Sequence, residues 1–238
     1  MSALPQLPPH YPVWRGDALA RVTTPSLSTG FPMLDVELPG GGWPMAGLTE
    51  IIPRHEGIGE LRIFASALAY LSAQKRWLIW IAPPYLPYAP ALEAAGIDLA
   101  WLLFIKTGSL RETLWATEQA LRSRACGAVL AWTDKPTYPQ LRRLQLAAEM
   151  HASLALMFRP VNAIVDATPA VLRLSLHCIK GELAIHILKR RGAVLARPIR
   201  VTPAAVVNRR QPVSNHVVDR NRFPAATSRI VSANLSTA

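Results

Sequence analysis

The sequence predicts an α/β domain: a mostly parallel sheet flanked by helices, extended by an antiparallel hairpin and followed by a disordered tail. Three observations predict it. From Leu48 to about Pro160, short apolar runs alternate with longer stretches of helical period. The short runs are apolar at successive positions, as strands covered by helices on both faces must be. After Pro160 the period drops to two, the mark of antiparallel strands with one wet face.

The elements follow in order. Residues 1–27 are rich in proline and read as an extended arm. Residues 28–201 form the core. A strand at 48–52 precedes a helix at 59–74, where Leu61, Phe64, Leu68 and Leu71 recur at near-helical spacing. A strand at 77–82 leads through prolines to a short helix near 89–95. A strand at 102–106 precedes a helix at 109–123, expected to bury Leu110, Leu114, Thr117 and Leu121 and to pair Glu118 with Arg122 on its wet side. A strand at 127–132, a helix at 138–151 and a strand at 153–158 complete the alternation. Residues 170–178 and 182–188 alternate apolar with polar, and the turn Lys189–Gly192 leads into 193–201, giving two or three antiparallel strands. Residues 202–238 show little periodicity and read as disordered.

Composition narrows the functional classes. Half the chain is apolar and 17% is charged, which excludes a chain disordered throughout. The longest uncharged stretch, Trp77 to Leu92, is short and broken by four prolines, so no membrane span is expected. The start, MSALPQLPPHYPVW, lacks a basic region followed by an apolar run, so no signal peptide is read there. Cys126 and Cys178 stand far apart without metal-type neighbours and read as buried thiols of a reducing cytoplasm. The six histidines are scattered. No metal cluster, catalytic triad or carboxylate pair emerges.

The net charge is +11, and the tail contributes five arginines against one aspartate. Such a balance fits nucleic acid or an acidic partner surface, and it equally fits ordinary solubility charge. The candidate contacts for DNA or a partner are Lys180, Lys189, Arg190, Arg191, Arg197 and Arg200, with Arg142 and Arg143 as a lesser patch that reads more simply as a solvated face. Tyr85 and Tyr88, set among prolines, suit a protein contact, as does Trp14 in the arm. For the arm, docking on its own domain is the competing reading.

The segment IIPRHEGIGELRIF, residues 51–64, has the strand, glycine turn and helix of a phosphate-binding loop but ends in Gly59-Glu60-Leu61, not in Gly-Lys-Ser/Thr. Upstream, STGFPMLDVELPGGGWPMAGLTEIIP, residues 28–53, resembles the segment leading into the RecA core: a Ser-Thr-Gly, a Leu-Asp, a glycine-rich turn, a Pro-Met step and the strand before the P-loop. The resemblance extends to about Val201, some three-quarters of the chain. Within that superfamily the chain resembles the small ImuA/SulA-like branch.

That resemblance implies a RecA-like, P-loop NTPase-type sheet. Position by position, it also implies a lost ATPase site. Glu60 stands where the family has the phosphate-binding lysine, Pro84 where it has the catalytic glutamate, and Trp132 where it has the acid ending the fourth strand, with Asp134 two residues late. A carboxylate facing a triphosphate repels it. Arg54, His55, Gly57, Gly59 and Glu60 make up the degenerate nucleotide loop, and no cofactor and no catalytic residue are expected. The implied function is a non-catalytic accessory role in damage-induced translesion synthesis, with an ImuB-type Y-family polymerase homologue and an error-prone C-family polymerase. RecA and non-specifically bound DNA are further candidate partners. A SulA-like inhibitor of the tubulin-like division protein is the alternative, and a residual ATPase a weaker third.

Overall fold

The computed structural model describes residues 25–192, 195, 197–202 and 231–232. Trp14 and the rest of the arm, and nearly all of the tail, lie outside the described residues.

Eleven strands are described. β1 (Ser26–Leu27) and β2 (Trp43–Pro44) pair as a small antiparallel ribbon around the short helix α1 (Pro32–Asp35). Gly42 makes this ribbon possible, because a Cβ there would lie 2.3 Å from the Leu27 carbonyl oxygen. The main chain of the fold then runs β3 (Leu48–Pro53), a 3₁₀ turn (Glu60–Phe64), α2 (Ala65–Ala73), β4 (Trp77–Ile81), α3 (Ala89–Ala94), β5 (Leu102–Lys106), α4 (Leu110–Arg122), β6 (Cys126–Trp132), α5 (Tyr138–Met150) and β7 (Leu154–Phe158). After a second 3₁₀ turn (Val161–Val165) come β8 (Leu172–Ile179), β9 (Glu182–Lys189), β10 (Ile199–Val201) and β11 (Val231–Ser232).

The nine-stranded sheet has the order β10-β9-β8-β3-β7-β6-β4-β5-β11. It is parallel from β8 to β11 and antiparallel through β8, β9 and β10. The expected mixed α/β architecture, mainly parallel with an antiparallel hairpin, is therefore present. Within the stretch expected to be irregular, Val231–Ser232 pair with Ile105 and Lys106.

The core has two layers, one on each face. The 3₁₀ turn packs Ile63 and Phe64, and α2 packs Leu68 and Leu71, against one face, together with Leu34, Leu38 and Trp43 from the segment before the sheet. α4 and α5 cover the other with Leu114, Leu121, Leu141, Leu144 and Ala148. Gln145 of α5 reaches the start of β3, where its Oε1 accepts the Leu48 N–H at 2.8 Å.

Two expectations for α4 are corrected. Leu110 is exposed, because it stands in the first turn, above the carboxyl edge of the sheet. Glu118 is buried rather than wet: it lies four residues after Leu114 and three before Leu121, so the helical period itself sets it on the apolar stripe. Its charge is met by Arg122 at 2.8 Å and by Arg143 of α5 at 2.6 Å. Arg143 therefore has a structural partner.

Candidate functional site

The Ser-Thr-Gly and Leu-Asp elements near the start of the core turn out to be one local clasp. Ser28 Oγ donates to Asp35 Oδ2 at 2.7 Å and the Thr29 N–H donates to Asp35 Oδ1 at 2.8 Å. Burial pushes the Asp35 carboxyl up, and these hydrogen bonds outweigh it, so the group sits below its ordinary value. The clasp fixes α1, whose Leu34 is fully buried, against the sheet.

The loop after β3 opens at the carboxyl edge. Gly57 and Gly59 take positive φ angles of 75° and 90°, and Gly59 caps the 3₁₀ turn that starts at Glu60. Glu60 turns back on this loop, and its Oε1 accepts the Gly57 N–H at 3.2 Å. A phosphate-binding loop reserves such N–H groups for its ligand. Here a carboxylate of the chain itself takes one of them.

Around this loop lies a cleft of about 740 Å³. It sits where ligands of open α/β sheets bind, beyond the carboxyl ends of β3, β4, β6 and β7. Arg54, His55, Glu56 and Glu60 line one side, Ala82 and Pro84 the exit of β4, and Trp132, Thr133, Asp134 and Lys135 the exit of β6. Glu60, Pro84 and Trp132, expected to mark a lost site in three separate stretches of sequence, are brought to one cleft. Trp132 stacks on Phe158 at 4.7 Å and 9°, and an aromatic line continues through Phe64 to Trp43 on one side and through Trp80 to Phe104 on the other. Tyr85, Leu86 and Tyr88 follow the β4 exit and are 72%, 58% and 73% exposed.

Beside the cleft is a buried ionic network that sequence reasoning missed. Glu50, fully buried in mid-strand, meets Arg173 Nε at 2.9 Å and Arg159 Nη1 at 3.3 Å. Arg159 Nη2 continues to Asp166 at 2.8 Å, and Arg173 donates to the carbonyls of Ala163, Ile164 and Asp166. The network pins the Val161–Val165 turn over the sheet. Its only sequence signal was a charge inside each of two apolar strands, LTEIIP and LRLSL.

The six candidate cations of the hairpin do not form one patch. Lys180 stands in the two-residue turn, with φ of 52° and Gly181 at 82°, at the carboxyl edge. Arg200 lies 3.7 Å from Glu182 near the same edge. Lys189, Arg190 and Arg191 lie at the opposite end of β9, about 25 Å away at strand rise. There Lys189 Nζ donates to Thr168 O at 2.8 Å, and Arg190 bonds the carbonyl and carboxylate of Glu37. Arg191 and Arg197 are exposed. Burial, with Arg173 nearby, lowers the Lys189 pKa against the pull of Glu50. The thiols also differ: Cys126 is buried and its pKa is pushed up to about 12 by desolvation, against the nearby Arg76, whereas Cys178 is exposed, which corrects the expectation that both are buried.

Among the described residues no helix is long and apolar enough to cross a membrane. The model of the cell division inhibitor SulA family matches residues 49–155, β3 to β7. Protein ImuA of Caulobacter vibrioides is 29% identical over 160 residues, covering 64% of this chain and 66% of the relative. The chain is similar to the ImuA and SulA proteins. Cell division inhibitor SulA of Edwardsiella piscicida is 32% identical over 93 residues, 39% of this chain and 55% of that one. The chain thus spans just under two-thirds of the ImuA relative's length and about half of the SulA relative's. The crystal structure of SulA from Pseudomonas aeruginosa matches 47% of this chain and 97% of its own, with a TM-score of 0.40 and 24% identity.

Proposed function

We propose that this chain is a non-catalytic accessory protein of damage-induced mutagenesis. It acts in the cytoplasm through contact with an ImuB-type polymerase homologue and, through it, with error-prone synthesis. RecA and DNA, bound non-specifically, are further contacts. The observation that carries the reading is the make-up of the carboxyl-edge cleft. Glu60, Pro84 and Trp132 line it together, and Glu60 closes the loop on itself through Gly57. We read the core as RecA-like and this loop as a degenerate P-loop without nucleotide chemistry: Glu60 stands where a lysine would meet a phosphate, Pro84 where a carboxylate would orient water, and an aromatic pair fills the place of an acid. The exposed Tyr85, Leu86 and Tyr88, which follow cleft-lining Pro84 in the chain, are the partner contact, since aromatic residues dominate binding energy at protein interfaces.

The second reading, a SulA-like division inhibitor, is favoured by the family match over residues 49–155. The similarity to ImuA runs over 160 residues against 93 for SulA, and this supports the accessory role first. Inactivating the gene and measuring mutation frequency and cell length after DNA damage separates the two. The accessory role predicts fewer induced mutations and unchanged filamentation. Loss of filamentation with unchanged mutation frequency identifies the division inhibitor.

A further inference from the structure

The sheet face formed by β8, β9 and β10 differs from the rest of the sheet. Its inner side is apolar, with Leu174, Leu176, Leu183, Ile185, Ile199 and Val201 in the core. On its outer side, register aligns His177 with Ala184 and Arg200 with the same Ala184, so His177, His186 and Arg200 share one face. Arg54 continues the β3–β8 pairing, its N–H donating to Leu176 O at 2.9 Å, and so stands level with His177. The His177 and His186 rings lie 5.0 Å apart.

This grouping is one of like charges. Among the described residues, Arg54, His55, His177 and His186 make no ion pair. The single carboxylate on the shared face of β9, Glu182, is engaged by Arg200. The groups acting on His177 are His186 from β9 and Arg54 and His55 from the loop after β3, all cationic or becoming so on protonation; Ser175, on its own strand, meets its Nε2 at 3.2 Å. Burial and these neighbours together hold the His177 pKa below its ordinary 6.5. Such a cluster is destabilising to protonate unless an anion arrives. A sheet face carrying half-exposed His177 and His186 beside exposed Arg54 and Arg200 offers a phosphodiester backbone a row of positive contacts once protonated.

We propose that the outer face of β8–β10, with Arg54, His177, His186 and Arg200, is a nucleic-acid backbone contact that tightens as His177 takes up a proton. This site is distinct from Lys189, Arg190 and Arg191, which lie at the far end of the hairpin. It deepens the proposed function by locating the DNA contact, and it is tested on the purified chain without the polymerase homologue, so its failure leaves the polymerase contact untouched.

The test is fluorescence anisotropy of a labelled single-stranded and a labelled duplex oligonucleotide at pH 6 and pH 8, each with a salt series. The wild type should bind several-fold more tightly at pH 6, with affinity falling as salt rises. His177→Gln with His186→Gln should remove most of that pH response. Arg54→Ala, on an exposed loop that tolerates the change, should weaken binding at both pH values and lower the salt slope. Thermal midpoints confirm folding, and the arginine variant decides the matter if the histidine variant is unstable. No binding at low salt would overturn the proposal. So would a pH response retained in the double variant, or binding lost on changing Lys189, Arg190 and Arg191 to Ala but not on changing Arg54.

Discussion

Glu50 and Arg173 stand opposite one another on adjacent parallel strands, both buried, with Arg173 Nε 2.9 Å from Glu50 Oε2. Removing Glu50 leaves Arg173 without a carboxylate partner, whereas Glu50 keeps Arg159 at 3.3 Å when Arg173 is removed. Glu50→Ala leaves buried Arg173 without a carboxylate and Arg159 with Asp166 alone, and should cost about 3–5 kcal/mol, read by chemical denaturation. Arg173→Ala should in addition free the Val161–Val165 turn, raising hydrogen exchange there. A Glu50→Ala chain as stable as the wild type would mean that the network contributes nothing.

The Asp35 clasp predicts an acid limb. The folded carboxyl titrates below its ordinary 3.8, so the unfolded chain takes up the proton first. The contribution is fully present above that value and is lost as pH falls through the folded pKa. Asp35→Asn should lower the thermal midpoint at pH 7 and flatten the fall between wild-type midpoints below about pH 4. An unchanged midpoint at pH 7 would remove the clasp from the account.

The two thiols should react differently. With its pKa near 12, buried Cys126 holds almost no thiolate at pH 8. A thiol-disulfide reagent should therefore modify one cysteine per native chain, and Cys178→Ser should abolish that reaction. Two fast-reacting thiols would show that the β6 start opens readily.

Nucleotide chemistry should not be recovered by a single change. Glu60→Lys removes the repulsive carboxylate but leaves Pro84 and Trp132 in the cleft. ATP turnover should stay at background in both chains, and the wild type should show no saturable ATP binding below about 100 μM, roughly 5.5 kcal/mol of affinity. Turnover in either chain would reinstate the ATPase reading.

The layered order of strands and helices was legible because each strand is apolar on both faces and each helix keeps its period. β3, β5 and β6 fall within a residue of where the sequence sets them. The 3₁₀ turn Glu60–Phe64, at the start of the helix expected over 59–74, was not legible, because Gly59 at φ 90° starts it and helical spacing alone is blind to that. Glu118 was misjudged because its charge was given more weight than its place on the stripe. The Glu50 network and the His177–His186 pair depend on partners many residues away, which register alone brings together. Lys189 and Arg191 look adjacent to Lys180 and Arg200 in a list of hairpin charges, yet a strand's length separates them. Within the site, the three departures from a nucleotide site were readable one by one, and their meeting in one cleft was not.

The most direct test of the central claim measures the affinity of the full chain for the ImuB-type polymerase homologue, with and without magnesium and ATP. The account predicts a complex of equal affinity in both conditions, weakened when Tyr85 and Tyr88 are both changed to Ala in a chain that stays folded. No complex, or one that forms only with ATP, would contradict it.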